Sequence, residues 1–176
     1  MPALRVQIPQ VFSRILAAIG AAKKSDAGGG RILEHAPVRT SEQAAEVRGV
    51  TLEEGAKASL FKSEKPGKGA HGDWFLLVHS AAARRDNKKF KEAFGKAYKA
   101  ASEDECFEHS GCLPGAVPPF GSLFKTKTPT FVDVSLASRE IKKISFNAGL
   151  RTTSVVGLDF EVYRAIEKPD IVDVTE

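Results

Sequence analysis

The chain has 176 residues, of which 42% are apolar and 27% are charged, proportions that suit one compact domain with a sizeable core. Its 26 Lys and Arg against 22 Asp and Glu give a formal charge of +4, which permits an anionic partner without requiring one. Cys106 and Cys112 are too few for a disulfide framework and lack metal-ligand spacing, so a reduced, cytoplasmic protein is expected. No apolar run approaches the ~18–20 residues that span a bilayer, which excludes a transmembrane helix and predicts no membrane partner.

The first 30 residues are predicted to form an amphipathic helix and a glycine-rich linker that pack on the domain. In residues 9–22 the apolar side chains that share one helical stripe are Val11, Phe12, Ile15, Leu16 and Ile19. Residues 1–25 contain no acidic residue, which is the composition of a mitochondrial presequence. A mitochondrial location is therefore an alternative, and the basic residues on which it depends are Arg5, Arg14, Lys23 and Lys24.

Two helix-start signals precede the first candidate catalytic residue. Thr40 opens a capping-box pattern for a helix that is predicted to end at Gly49. Thr51 and Glu54 repeat the pattern, after which the sequence changes to strand character near Lys57. Lys57 is therefore predicted to lie at a helix-to-strand junction.

The rest of the chain alternates strands and short helices. Strands are predicted at residues 59–62, 74–79, 129–134, 142–149 and 152–160. One intervening helix has Phe90 and Phe94 four residues apart under a basic outer face, and another starts at Ser102. The last strand runs into a short helix, and the acidic tail 167–176 is expected to be loosely ordered. The mixture predicts a single domain of the α/β (mixed α+β) class.

Few residues stand out as candidates for chemistry. The four histidines lack metal-spaced partners and are interpreted as structural or surface residues, so no metal is predicted. No zinc, flavin or nucleotide-phosphate motif occurs, and no cofactor is expected. Cys112 could supply a nucleophilic thiolate, although a small residue packed in a tight turn is the favoured interpretation. The basic run RRDNKKFK indicates either phosphate contacts or the solvated face of a helix.

The segment GCLPGAVPPFG, residues 111–121, contains no general acid or base. Glycine lets a ligand approach the backbone, whereas proline fixes φ and removes amide donors, so the remaining N–H and C=O groups have few orientations. Such a loop can act as a rigid backbone clamp that orients water and stabilises an oxyanion. A plain surface loop is the alternative.

Several segments, taken together, resemble the YbaK and prolyl-tRNA synthetase-associated domain family of trans-editing aminoacyl-tRNA deacylases. A strand ending in His-x-Pro leads into Thr and an alanine-rich helix, a lysine opens the next strand, and an Asp precedes a lysine-rich helix. A Gly-x-x-x-Pro segment and two closing strands complete the pattern. The matching segments are LEHAPVRTSEQAAEVRG, GAKASLFK, RRDNKKF, SGCLPGAVPPFG, FVDVSL and SFNAGLRTTS.

The resemblance implies a curved mixed sheet flanked by helices, with an editing domain at residues 31–166 and a pocket between the lysine strand and the Gly-x-x-x-Pro loop. Catalytic roles are expected for Lys57, Gly115 and Pro119. Substrate contacts are expected from Ala116, Val117, Pro118, Phe120, Gly121, Asn147, Gly149, Arg151 and Ser154. Contacts with tRNA are expected from Arg84, Arg85 and Lys88.

The reaction that the resemblance implies is hydrolysis of the ester between an amino acid and the terminal adenosine of a mischarged tRNA. The lysine would hold the adenosine or its phosphate, the loop backbone would place the ester and water, and a ribose hydroxyl would assist. Branches that remove alanine often have a histidine after the strand matching SFNAG, whereas this sequence continues LRTTS, so alanine specificity is not implied.

Three hypotheses about function follow. The leading one is a free-standing deacylase that acts on aminoacyl-tRNA, alone or with an aminoacyl-tRNA synthetase or multi-synthetase complex. The second is a catalytically silent tRNA-binding or synthetase-associated module of the same fold, and the third is a thiol enzyme built on Cys112. Presence of both Lys57 and the Gly115–Pro119 motif favours the first.

Overall fold

The computed structural model describes residues 9–138 and 140–176. Residues 1–8 of the N-terminal segment, with Arg5 of the presequence alternative, lie outside the described residues. The α-helices are α1 (Gln10–Ala22), α2 (Ser41–Arg48), α3 (Asn87–Phe94), α4 (Glu103–Ser110) and α5 (Phe160–Glu167). The strands are β1 (Gly29–Glu34), β2 (Ala56–Ser63), β3 (Trp74–Ser80), β4 (Tyr98–Ala100), β5 (Thr130–Asp133), β6 (Lys143–Leu150), β7 (Thr153–Asp159) and β8 (Asp170–Val172).

The strands form two sheets, so the mixed α/β class is confirmed while the single curved sheet of the prediction is divided. One sheet is antiparallel, in the order β1-β7-β6, and the other is mixed, in the order β4-β2-β3-β5-β8. In the mixed sheet β4, β2 and β3 run antiparallel, whereas β3, β5 and β8 are parallel. A parallel bridge between Gly55 and Ser145 connects the two sheets beside the start of β2.

Local capping signals explain two of the helices. The Thr40 side chain accepts a hydrogen bond from the Gln43 amide, and α2 ends at Gly49 with φ of +66°, as predicted. Helix α4 begins with a complete capping box between Ser102 and Glu105.

The helix predicted from Thr51 and Glu54 does not form, and that prediction was wrong. Residues 51–55 make a turn in which the Gly55 amide donates to the Leu52 carbonyl, and the Glu54 carbonyl accepts from the Ser145 amide. This pairing with the other sheet removes the carbonyl that a helix would use. Lys57 is therefore the second residue of β2 and not a helix-to-strand junction.

The acidic tail is ordered, contrary to the prediction. Its strand β8 pairs in parallel with β5, and Val174 is fully buried. The Asp133 carboxylate accepts hydrogen bonds from the Val174 amide and the Thr175 hydroxyl. A buried acceptor in β5 thus holds a segment whose composition resembles a solvated terminus.

Helix α1 packs its apolar stripe on α5 and β6. Val11, Ile15 and Ile19 are buried, whereas Leu16, predicted on the same stripe, is exposed at its edge. No helix in residues 9–138 or 140–176 has the length and apolar character needed to cross a bilayer.

Strand β3 is buried on both faces because each face packs on a different cluster. Leu76 and Val78 face the main core between the sheets. Phe75 and Leu77 face a smaller aromatic cluster under α3, which also contains Phe61, Phe90, Phe94, Tyr98 and Phe131. The residues of β2 that share this second face are Lys57, Ser59 and Phe61, and Lys57 lies directly opposite His79 in the register.

Candidate active site

A cavity of about 710 Å³ opens between α2, the start of β2 and the Gly/Pro loop. Its volume is in the range of ligand sites, about 300–1,000 Å³. Among the residues predicted to act on substrate, those that line this cavity are Lys57, Gly115, Val117, Asn147 and Arg151. Residues more than 90 positions apart in sequence are thus brought to one concave surface.

Lys57 is exposed on β2 at the border of two cavities. It lines the main cavity and also a second cleft of about 380 Å³ on the other side of the strand. Within the part of the chain that the structure describes, its ammonium forms no ion pair and no side-chain hydrogen bond. The charge is therefore available to an anionic ligand.

The carbonyl oxygens of the Gly/Pro loop are held by donors from the surrounding strands and helix. The four pairs are Arg151 with Pro114, Asn147 Nδ2 with Gly115, the Gly149 amide with Ala116, and the Tyr163 hydroxyl with Pro119. Each bond is 2.7–2.9 Å long. These hydrogen bonds hold the loop carbonyls in one orientation and make the loop rigid.

Among the loop amides that have no acceptor in the described residues, two belong to residues that line the cavity. The Ala116 amide donates to the Leu113 carbonyl, but the amides of Gly115 and Val117 have no partner among residues 9–138 and 140–176. Both residues line the cavity. Gly115 has φ of +84°, and a Cβ built there would meet nothing closer than Arg151 Nε at 3.9 Å. Two residues whose backbone amides are unpaired in the described part of the chain thus line the cavity, and glycine is required at position 115 for conformation rather than for space.

Arg48 is a residue of the cavity wall that the sequence did not identify. It ends α2, is only 6% exposed, and lines the cavity. Its Nε donates to Ser154 Oγ and its Nη2 to Asn147 Oδ1, each at 2.9 Å. Burial lowers the pKa of the guanidinium to about 10, so it stays charged at neutral pH. Because no carboxylate of the described residues pairs with Arg48, the cavity wall is electropositive.

His35 extends this network to β1. Its Nδ1 lies 2.8 Å from the Ala36 carbonyl oxygen, which only accepts, so Nδ1 carries the proton. Its Nε2 lies within hydrogen-bond distance of Ser154 Oγ, 2.8 Å away. Ser154 is fully buried and supports Arg48 and Asn147 from behind the cavity wall. Arg48 itself was missed because a basic residue at the C-terminus of a short polar helix resembles a solvated residue, and no local signal in the sequence shows that it is buried.

The remaining predicted substrate residues lie behind the cavity surface. Those that do not line it are Ala116, Pro118, Pro119, Phe120, Gly121, Gly149 and Ser154. Phe120 is fully buried against Phe146 and Tyr163, and the Gly121 amide donates to Thr130 Oγ1. Residues 118–121 of the loop therefore serve as its anchor, and the part of the loop that reaches the cavity lies within residues 114–117.

The predicted tRNA residues lie on the second face of the mixed sheet. Arg84 and Arg85 line the second cleft, together with Lys57 and His79, whereas Lys88 lies outside the cleft on the exposed side of α3. The Arg85 guanidinium stacks over Phe61 and Phe90, with its Cζ 5.3 and 4.9 Å from the ring centres. Arg85 is thus held in place by the aromatic cluster.

Neither cysteine has the environment of a nucleophile. Cys106 and Cys112 are free thiols and both are buried. Burial raises the pKa of Cys112 to about 11, which leaves almost no thiolate at neutral pH. This disfavours the thiol-enzyme hypothesis. In residues 9–138 and 140–176 no three His, Cys, Asp or Glu side chains are grouped as metal ligands would be.

Comparison with known proteins identifies the family. The aminoacyl-tRNA editing domain model matches residues 35–163. The multifunctional Ser/Thr-tRNA deacylase ProXp-y of Escherichia coli is 33% identical over 144 residues, which cover 81% of this chain and 82% of that protein. YwhH of Bacillus subtilis is 38% identical over 98 residues, covering 55% and 57% of the two chains.

The fold agrees with a solved structure. The crystal structure of a candidate trans-editing enzyme for prolyl-tRNA synthetase superposes with a TM-score of 0.74 and 22% identity, over 96% of this chain and 99% of the other. The family and the enzyme class predicted from the sequence, an aminoacyl-tRNA deacylase, are confirmed. The chain belongs to the aminoacyl-tRNA editing domain family.

Proposed function

We propose that this protein is a free-standing editing enzyme that hydrolyses the ester between a wrongly attached amino acid and the terminal adenosine of a tRNA, using the main cavity as its active site. The observation on which this rests is the convergence on one cavity of Lys57 and of Gly115 and Val117, whose amides have no acceptor among the described residues. The family supplies the reaction class.

Lys57 holds the 3′ end of the tRNA. Its ammonium is exposed, forms no ion pair among the described residues, and lies at the border of both cavities. A compact ammonium on a flexible stem suits a phosphate or the adenosine that precedes the ester. Lys57 therefore binds and positions the substrate, and proton transfer is left to other groups.

The loop amides of Gly115 and Val117 stabilise the oxyanion. Water adds to the ester carbonyl carbon, negative charge develops on the carbonyl oxygen, and an N–H held rigidly at that position contributes roughly 3–4 kcal/mol to lowering the barrier. The carbon–oxygen bond to the ribose then breaks, and the proton lost by water passes to the ribose oxygen. Hydroxyl groups of the ribose assist, since none of the described residues that line the cavity is Asp, Glu or His.

The edited amino acid is serine or threonine. The Escherichia coli relative with 33% identity is a Ser/Thr-tRNA deacylase. The cavity of this chain combines small apolar side chains, such as Ala44 and Ala56, with the polar Asn147 and Arg48. A small side chain with a hydroxyl suits that lining, because a hydrogen-bonding site rejects an analogue without the hydroxyl more strongly than an apolar pocket rejects a methyl group.

The test is a panel of tRNAs charged with serine, threonine, alanine or the correct amino acid, scored for release of the amino acid. We expect faster release of serine or threonine than of alanine, and a rate above the uncatalysed one by several orders of magnitude. Binding of the charged tRNA without release of any amino acid would instead establish the silent-module alternative. Release of alanine alone would retain the reaction and refute the substrate assignment.

A further inference from the structure

The second cleft and the active-site cavity lie on either side of strand β2 and share two of its residues. Lys57 and Ser59 of β2 line both spaces, and the second cleft has a volume of about 380 Å³. That volume is near the lower end of ligand cavities, about 300–1,000 Å³. The cleft is therefore of a size for a single nucleotide rather than for a helix of tRNA.

The charge of the cleft is entirely positive. Lys57, Arg84 and Arg85 line it, and none of the described residues that line it is Asp or Glu. None of the three cations forms an ion pair with another described residue. Because Arg85 is already held over Phe61 and Phe90, its guanidinium loses little freedom when an anion binds.

The cleft also contains an uncommitted acceptor. His79 is 7% exposed and its Nδ1 lies 2.8 Å from the Ser80 carbonyl oxygen, so Nδ1 carries the proton. Burial lowers the pKa of His79 more than the Ser80 carbonyl raises it, which keeps the ring neutral and Nε2 unprotonated at pH 7. Nε2 has no hydrogen-bond partner among the described residues. Every buried side-chain nitrogen or oxygen of those residues does have a partner, so Nε2 is not a buried atom. Nε2 must therefore open onto the cleft that His79 lines.

Resting on the proposed function, we propose that this cleft binds the nucleotide immediately 5′ of the terminal adenosine, with Arg84 and Arg85 on its phosphate and His79 Nε2 accepting a hydrogen bond from its ribose 2′-hydroxyl. A neutral acceptor beside cations matches a ribonucleotide, which carries an anionic phosphate and a hydroxyl donor on the same ribose. The 2′-hydroxyl is the group by which a protein distinguishes RNA from DNA. The shared wall at Lys57 places this nucleotide next to the ester in the main cavity.

Equilibrium binding of the ribotrinucleotide CCA tests the cleft without any catalysis. Arg84→Ala should weaken binding roughly three- to tenfold and reduce the slope of log K against log salt by about one. The matched control is Arg164→Ala, which removes an exposed arginine on α5 outside both cavities. Equal affinities for the Arg84→Ala and Arg164→Ala variants would overturn the proposal.

A single 2′-deoxy substitution in the middle nucleotide of the same trinucleotide tests His79. The parent protein should lose roughly three- to tenfold in affinity, the value of one hydrogen bond. His79→Phe should bind the ribo form as weakly as the parent binds the deoxy form, and should show no further loss with the deoxy form. A parent protein that binds both forms equally would overturn the assignment, and the Arg84→Ala result remains decisive if His79→Phe does not fold.

Hydrolysis separates this proposal from the function on which it rests. Arg84→Ala should lower kcat/KM for an aminoacylated trinucleotide and leave hydrolysis of 3′-aminoacyl-adenosine, which lacks the second nucleotide, unchanged. Equal loss on both substrates would mean that Arg84 acts on the active site, contrary to the proposal. If the parent hydrolyses neither ester, the proposed function fails, while the binding measurements still decide whether the cleft takes a ribonucleotide.

Discussion

The side-chain amide of Asn147 donates a 2.7 Å hydrogen bond to the Gly115 carbonyl, while its oxygen accepts a 2.9 Å bond from Arg48. A guanidinium can only donate and a carbonyl can only accept, so the two neighbours together determine which way the amide points. Asn147 thus connects a buried charge to the exposed glycine of the loop.

Asn147→Asp separates these two contacts. Aspartate keeps the acceptor for Arg48 and gains charge complementarity, but it cannot donate to the Gly115 carbonyl. We expect unfolding free energy within about 1 kcal/mol of the parent and a fall in kcat of roughly 10- to 100-fold, because a loop displaced by an ångström misplaces its donors. Urea unfolding and single-turnover deacylation measure the two quantities. Unchanged kcat in the folded variant would show that Asn147 does not position the loop.

Lys57→Ala should reduce deacylation far more than stability. The side chain is exposed and makes no described ion pair, so the free energy of unfolding should change by no more than about 0.5 kcal/mol. Lys91→Ala, which removes an exposed lysine of α3, is the control for loss of one positive charge. A deacylation rate for Lys57→Ala within a factor of two of the parent would refute the assignment of Lys57.

Gly115→Val should abolish hydrolysis and leave most tRNA affinity intact, because basic residues outside the loop supply that affinity. The φ of +84° at position 115 disfavours any residue with a side chain, so the substitution should lower the free energy of unfolding by roughly 1–2 kcal/mol. Gly111→Val is the matched control, since Gly111 also has positive φ, +76°, and open space around it but does not line the cavity. Both tRNA binding at fixed salt and single-turnover hydrolysis should be measured. Equal loss of both in Gly115→Val would assign the loop a purely structural role.

Cys112→Ala should remain active. The thiol is 1% exposed and its pKa is raised to about 11 by burial, so it supplies no nucleophile at neutral pH. A loss of about 1 kcal/mol in stability is expected from the small void that the sulfur leaves. Mass spectrometry of the protein during turnover should detect no aminoacyl adduct. A trapped aminoacyl thioester would replace the water mechanism with a covalent one.

Glu167→Gln should change how stability depends on pH. The buried carboxylate accepts hydrogen bonds from Ser122 and Thr130 but faces no described cation, and burial raises its pKa more than these bonds lower it. The folded state therefore binds the proton more tightly than the unfolded chain does. The resulting stability is present below the usual pKa of 4.5 and is lost as pH rises through the folded pKa.

Glutamine is neutral at every pH, so the difference in unfolding free energy between Glu167→Gln and the parent should grow in favour of the variant from pH 4.5 to pH 7. His79 and His109, whose pKa values are lowered by burial, act in the opposite direction, but they are common to both proteins and cancel in the difference. Urea unfolding of both proteins at four or five pH values measures this difference in unfolding free energy. A difference that does not depend on pH would contradict the assigned shift of Glu167.

The sequence by itself determined the features that depend on neighbours within a few residues. The capping box of Ser102 and Glu105, the αL end of α2 at Gly49 and the buried stripe of α1 are each local, and each is present in the structure. The order of short motifs was sufficient to predict the family. Such signals are readable in sequence because they act through the backbone and side chains of one turn or one strand.

Only the tertiary structure decided the environment of Arg48, the ordering of the tail and the position of Lys57 between two cavities. Arg48 is buried because β6 and β7 bring Asn147 and Ser154 to its guanidinium from about 100 residues away. The tail is ordered because β5 offers it an unpaired edge and Asp133 offers it acceptors. Local composition predicts that both Arg48 and the tail are solvated. Their burial requires partners that are distant in sequence. The contacts with these partners offset the entropy cost of closing long loops only once the two sheets have assembled.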